Sequence, residues 1–191
     1  KFDRIKLRKA LLNFENLGFN TAGLAQTSDH MIKAKKVLNL AVFELSKKSI
    51  KFNLWGDLEI NREVLRNAPE DTCYRLIVFC LQWFSGTRYK PRYSELIAFV
   101  EEILRGKLSG RTFLGVIARQ VSANVFVLRR EPRAVQVFKN LEKTQVLWDH
   151  RWIVTLNHSS SITGKEVLRG LGEDGLSQIK FWRELKTPRE A

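Results

Sequence analysis

The chain has 191 residues, 44% of them apolar and 28% charged, with a net charge of +13 and a pI near 10. That balance excludes an intrinsically disordered chain and gives enough apolar material for one large domain or two small ones. The charge excess favours a polyanionic partner, since phosphates attract it and release counterions on binding; the plain alternative is a solubilising surface. No apolar run is long enough to span a bilayer, and the longest, Leu76 to Phe84, contains Gln82.

The charge is unevenly spread. Residues 1–56 hold eleven basic and four acidic side chains, and residues 106–157 hold nine and three. Between them, residues 57–105 hold seven and eight, and after them residues 158–191 hold six and five. Two basic regions flank a neutral middle.

The chain opens on KFDRIKLRK, a basic amphipathic helix in full stride without an initiator Met. Leu7, Ala10, Leu11 and Phe14 fall on one stripe, with Arg4 and Arg8 one turn apart beside it. Such a beginning leads us to expect further sequence upstream. Thr21 to Lys48 reads as a long helix. Leu24, Met31, Leu38 and Leu45 recur every seven residues with Ala34 and Ala41 between them, which predicts a packing seam and an antiparallel pair with the first helix around Gly18. Lys51 to Ile60, with Trp55-Gly56, is either a short strand or an irregular connection.

Pro69 opens another helix, with Glu70 and Asp71 where the helix dipole favours them, running through Leu76, Ile77, Cys80 and Phe84 to Gly86. After a basic turn, Arg88 to Tyr93, the next helix puts Leu96, Ile97, Val100, Ile103 and Leu104 on one face and stops at Gly106. From Gly110 the period changes. Thr112 to Ala118 and Val125 to Arg129 are β-rich runs joined by Ser122-Ala123-Asn124. Val146 to Leu156 predicts two short strands around Asp149-His150. A short helix near Leu176 to Leu185 follows a glycine-rich stretch, and the chain end shows no closing element, so truncation or disorder is expected there. The fold class is therefore α+β: a helical region, 1–110, followed by a small region with antiparallel strands, 111–191.

Few motifs carry chemistry. Cys73 and Cys80 are seven apart on a helix, which places their Cα atoms roughly 10 Å apart, too far for a disulfide. Two free thiols fit a reducing, cytoplasmic compartment. The three His, at 30, 150 and 158, and the lack of a CxxC give no metal-ligand spacing. Gly170-Leu171-Gly172-Glu173-Asp174-Gly175 matches G-x-G-x-x-G, but no strand precedes it and two carboxylates would repel a phosphate, so it reads as a glycine-rich turn. Gly164-Lys165 lacks the rest of a P-loop, the serines beside His158 read as a polar loop, and Glu101 and Glu102 point apart. No residue set here would catalyse a reaction alone.

The remaining signal is basic and aromatic. Arg4, Lys6, Arg8 and Lys9 form one cluster; Arg88, Tyr89, Lys90, Arg92 and Tyr93 a second, with rings free to stack; Arg129, Arg130 and Arg133 a third. Each is alternatively a solvated face, but three clusters on so basic a chain favour nucleic acid.

In order and spacing, these stretches resemble tRNA(Ile)-lysidine synthetase of the alphaproteobacterial type. KFDRIKLRKALLNFENLGF resembles the family's junction after its catalytic domain, with Arg4 and Arg8 on its Arg-x-x-x-Arg. TAGLAQTSDHMIKAKKVLNLAVFEL resembles the long helix that follows, and RLIVFCLQWFSGTRYKPRYSELIAFVEEILRGK the next helical pair. GRTFLGVIARQ and VFVLRREPRAV resemble a strand pair ending in Arg-Glu-Pro-Arg; VLWDHRWIVTL and LRGLGEDGLSQI resemble Leu-Trp-Asp-x-Arg and Leu-Gly-x-x-Gly-Leu stretches. The family's Ser-Gly-Gly-x-Asp-Ser ATP site has no counterpart here.

The resemblance implies an intact ligase that uses ATP, with Mg, to adenylate the wobble cytidine of isoleucine tRNA bearing a CAU anticodon, after which free lysine displaces AMP. ATP, Mg and lysine would be held by the catalytic domain and none by this segment, which would position the tRNA. Arg4 and Arg8 would lie nearest the reaction centre. Two other classes stay open: a stand-alone nucleic-acid-binding module and a helical protein-interaction scaffold. No membrane partner is expected.

Overall fold

The computed structural model describes residues 2–16, 18, 21–53, 55–106, 109–139, 145–155 and 167–170. Two compact units divide between Phe43 and Glu44. The first holds helix α1 (Phe2–Asn16) and most of α2 (Thr21–Ser49). Both helices form where the periodicity places them, but the seam differs from expectation. Leu24 and Met31 are exposed, Leu38 is half-buried, and Ile5, Leu7 and Phe14 on α1 are exposed as well. The described residues therefore do not show the closed α1–α2 seam that the seven-residue spacing predicts. A heptad pattern stabilises a helix only against a matching surface, and of Leu24, Met31, Leu38 and Leu45 it is Leu45 that is buried.

The second unit is α+β. Its sheet has five strands in the order β1 (Ile50–Phe52), β2 (Leu58–Asn61), β5 (Val125–Arg130), β4 (Val116–Gln120), β3 (Ser109–Phe113), all antiparallel. Helices α4 (Glu70–Ser85) and α5 (Tyr93–Arg105) pack against each other, and α4 lies on β4 and β5. The core follows from two periods meeting. Leu58, Ile60, Val116, Ala118, Phe126 and Leu128 point from alternate strand positions toward Leu76, Ile77, Leu81, Phe84, Phe99, Val100 and Ile103, which recur at helical spacing; all are buried.

The sequence punctuation operates as expected. Gly86 and Gly106 are the left-handed C-caps of α4 and α5, at φ 67° and 77°. The ambiguous stretch 51–60 resolves into the β1–β2 hairpin. Asn53 closes it by accepting hydrogen bonds from the Trp55 and Asp57 amides, each at 2.9 Å. The expected run Thr112–Ala118 is two strands, broken where Leu114 and Gly115 take φ 50° and 71° in a tight turn. Because β2 pairs with β5, the sheet draws strands from both sides of position 110.

Short α3 (Arg62–Arg66) is capped by Asn61, whose side chain accepts from the Glu63 and Val64 amides. Two of its arginines are used structurally at the C-terminal end of α5. Arg66 donates to the Leu104 carbonyl at 2.8 Å, and the buried Arg62 guanidinium fills the space beside Gly106 that a Cβ would occupy. Two small hairpin-like ladders complete the described residues: β6 (Phe138–Lys139) with β9 (Val167–Leu168), and β7 (Gln145–Trp148) with β8 (Trp152–Thr155). The expected helix at 176–185, the serines near His158, Gly164-Lys165 and all of the glycine motif except Gly170 lie outside the described residues. Among the described residues no helix is long and apolar enough to cross a membrane.

Candidate nucleic-acid interface

The three basic clusters meet different fates. Arg4, Lys6, Arg8 and Lys9 are all exposed on α1, with Arg4 and Arg8 on one side a turn apart. They belong to the first unit.

The second cluster occupies the loop between α4 and α5. Its shape comes from the end of α4: Gly86 turns the chain left-handed, and Gln82 Nε2 then donates to the Arg88 carbonyl at 3.2 Å, folding the loop back on the last turn. Arg88, Lys90 and Arg92 are exposed, and Tyr89 is 85% exposed. The nearest carboxylate to Arg92 is Glu95, at 3.9 Å. Tyr93 is exposed too, with its ring edge-on to Tyr74 at 6.3 Å. Burial raises the Tyr74 phenol to about 12, helped by its hydrogen bond to Glu70 at 2.9 Å. The loop thus presents cations and a ring on a base fixed by buried aromatic packing.

The third cluster is not one surface. Arg129 pairs with the buried Asp57 carboxylate at 2.9 Å. Arg130 is nearly buried: its Nε faces Asp149 at 3.3 Å, and its two terminal nitrogens donate to the carbonyls of Gly115 and Ala134 at 3.2 and 2.6 Å. Arg133, on the 3-10 turn Pro132–Ala134, is exposed. In sequence these three arginines are equivalent. Alternation along β5 and the return of the β7–β8 turn separate them.

That turn forms a node the sequence reading did not assign a role. Asp149 and His150 take φ 46° and 61°, and the Arg151 amide donates to the Trp148 carbonyl at 3.1 Å, as a type I′ turn requires. Asp149 is fully buried and accepts from Arg130 and from Arg151 (2.8 Å), while Trp148 Nε1 donates to the Gln136 carbonyl at 2.8 Å. The Arg151 guanidinium lies over Phe84 and Trp83, at 4.9 and 5.3 Å from the ring centres. Two glycines admit the turn. A Cβ on Gly86 would strike the His150 ring, and one on Gly56 would strike Trp152, each at 2.3 Å. The alternation around Asp149-His150 foretold the hairpin; no local pattern foretold what Asp149 would face.

The node also fixes Trp83, whose ring meets Phe84 at 4.8 Å and Phe52 at 5.5 Å, both edge-on. Phe52, Phe79 and Trp83 remain exposed along a groove of about 330 Å³ between the β1–β2 hairpin and α4. The signal available in sequence was Phe79 and Trp83 at i, i+4 on the polar side of an otherwise buried helix.

Comparison with known proteins agrees with the resemblance drawn from sequence. A curated tRNA(Ile)-lysidine synthase of Ruegeria pomeroyi is 26% identical over the whole chain, which spans 43% of that protein. Those of Wolbachia pipientis wMel and Anaplasma marginale are 28% and 26% identical over 82% and 84% of the chain, or 37% and 36% of their own length. The chain therefore spans well under half the length of the curated homologues it matches. No protein-family model matches the chain, and no solved structure does.

Proposed function

We propose, from homology to the tRNA(Ile)-lysidine synthases, that this chain is the tRNA-positioning C-terminal portion of such an enzyme. The observation that carries the reading is the alignment of the entire chain with 43% of the Ruegeria protein. The proposed parent reaction ligates lysine to the wobble cytidine of isoleucine tRNA with consumption of ATP. Activation and lysine attack belong, in this reading, to the part of the enzyme that the chain does not match.

The chemistry of this segment is then electrostatic and geometric. The exposed Arg88, Lys90 and Arg92 are placed to neutralise backbone phosphates, and Tyr89 to stack on a base or ribose. Arg133 adds a phosphate contact. Arg129 and Arg130 serve the fold instead, because their guanidinium groups are committed to Asp57 and Asp149. Arg4 and Arg8 face the catalytic portion, as the resemblance implies, and there stabilise charge or hold a phosphate.

Two measurements test this. Binding to an isoleucine tRNA transcript is expected to weaken with salt at a log–log slope of roughly −3 to −5, from about four to six phosphate contacts. Mixed with ATP, lysine and that tRNA, the chain is expected to release no AMP above buffer. Salt-insensitive binding, or lysine-dependent AMP release by this segment, overturns the assignment.

A further inference from the structure

The groove between the β1–β2 hairpin and α4 has a wall chemistry that differs from the rest of the second unit. Phe52 is 67% exposed and Trp83 36% exposed, yet their rings are held edge-on at 5.5 Å rather than collapsed inward. The floor is apolar, made by the buried Leu58, Leu76 and Cys80. Exposed aromatic rings gathered over an apolar floor mark a binding site rather than an incidental surface.

Charge identifies what fits. Lys47 lines this groove and also a second one on the other side of β1, where Lys48 and Lys51 join it. Lys51 neighbours Phe52 in an edge strand, so the two project to opposite faces, the ring on one side of the strand and the ammonium on the other. Glu44 pairs with Lys47 at 2.7 Å, and Glu59 lies cross-strand from Lys51, so the local balance stays basic. Phe79 and Trp83 lie on successive turns of α4, and the helix then runs directly into the exposed loop of Arg88 and Lys90. An apolar peptide would use the rings but leave the lysines idle; a duplex would use the lysines but cannot present a base face. An unpaired nucleotide uses both.

We propose that this groove is a stacking site for an unpaired RNA base, which lies on the exposed face of Phe52 beside Trp83, while Lys48 and Lys51, across the edge strand β1, hold the adjoining phosphates. The proposal rests on the tRNA-binding reading and names a site within it that is separate from the Arg88–Arg92 loop. Phe52 is the residue to test, because Trp83 also supports Arg151.

The experiment measures affinity of the full chain for short single-stranded oligouridine and for the isoleucine tRNA transcript by fluorescence anisotropy. Phe52→Ala is expected to weaken oligouridine binding roughly tenfold, the loss of one base–aromatic stack, with an unchanged salt slope and melting temperature. Phe52→Trp is expected to retain wild-type affinity. Lys48→Ala with Lys51→Ala is expected to flatten the single-strand salt slope by about 1.4. Equal oligouridine affinity in wild type and Phe52→Ala, with tRNA binding intact, overturns the site and leaves the tRNA reading standing. Loss of all RNA binding by the wild type overturns both. If Phe52→Ala instead dissociates a dimer in sedimentation without changing RNA affinity, the groove is a self-interface and the site is likewise overturned.

Discussion

Asp149 and Arg130 meet at 3.3 Å in the interior of the second unit, the carboxylate fully buried and the guanidinium nearly so. Arg151 approaches the same carboxylate from the other side at 2.8 Å. One negative charge thus bridges the last residue of β5 and the β7–β8 turn. Removing it leaves two buried cations facing each other. Asp149→Ala is expected to lower unfolding stability by about 3–5 kcal/mol, read by urea denaturation. Arg130→Ala is expected to be nearly as damaging. If both variants unfold within about 0.5 kcal/mol of wild type, the node does not hold the turn.

Gly86 faces both a backbone and a steric constraint. Its φ is 67°, and a Cβ there would meet the His150 ring at 2.3 Å. Gly86→Ala is expected to cost more than the roughly 1 kcal/mol of left-handed strain alone. Adding His150→Ala is expected to recover the steric part and leave the strain, so the two changes are non-additive. Additive losses would mean that the turn does not sit on the end of α4.

Alkaline pH tests the buried titratable groups. Burial pushes the Cys80 thiol up to about 12 from a usual value of 9.0, and burial also raises Cys73. The folded chain therefore keeps protons that the unfolded chain releases, and stability is complete below about pH 9. It is expected to fall as pH rises from about 9 toward 12, with Tyr74 adding to the loss above about 10. Chemical denaturation at several pH values checks this, with Cys80→Ala expected to show a shallower decline. Parallel curves for wild type and Cys80→Ala would remove the thiol as a cause.

The loop and the strand arginines are expected to separate cleanly. Replacing Arg88, Lys90 and Arg92 together with Ala is expected to flatten the tRNA salt slope by about 2–3 without shifting the melting temperature. Arg133→Ala is expected to change the slope by less than 1. An unchanged slope in the triple variant would take the loop off the RNA surface.

Much of the second unit was already written into the local pattern. Pro69, Gly86 and Gly106 bound helices because their backbone preferences act within one turn, and the apolar periods at 76–84 and 96–104 marked core faces before any partner was known. Overall basicity and the exposed Arg88–Tyr93 turn were equally legible, since both depend on composition and short spacing. Three things depended on residues far apart in sequence. The seam of α2 needed a partner surface, and Leu24 and Met31 are exposed whereas Leu45 is buried. The strand 58–61 declared itself only by pairing with 125–128, across three helices. The arginines at 129, 130 and 133 look alike in sequence; only the arrival of Asp57 and Asp149 divides two ion-paired cations from an exposed one. Sequence determines what a side chain can do, whereas the charge, ring or open solvent that it meets is set by tertiary packing.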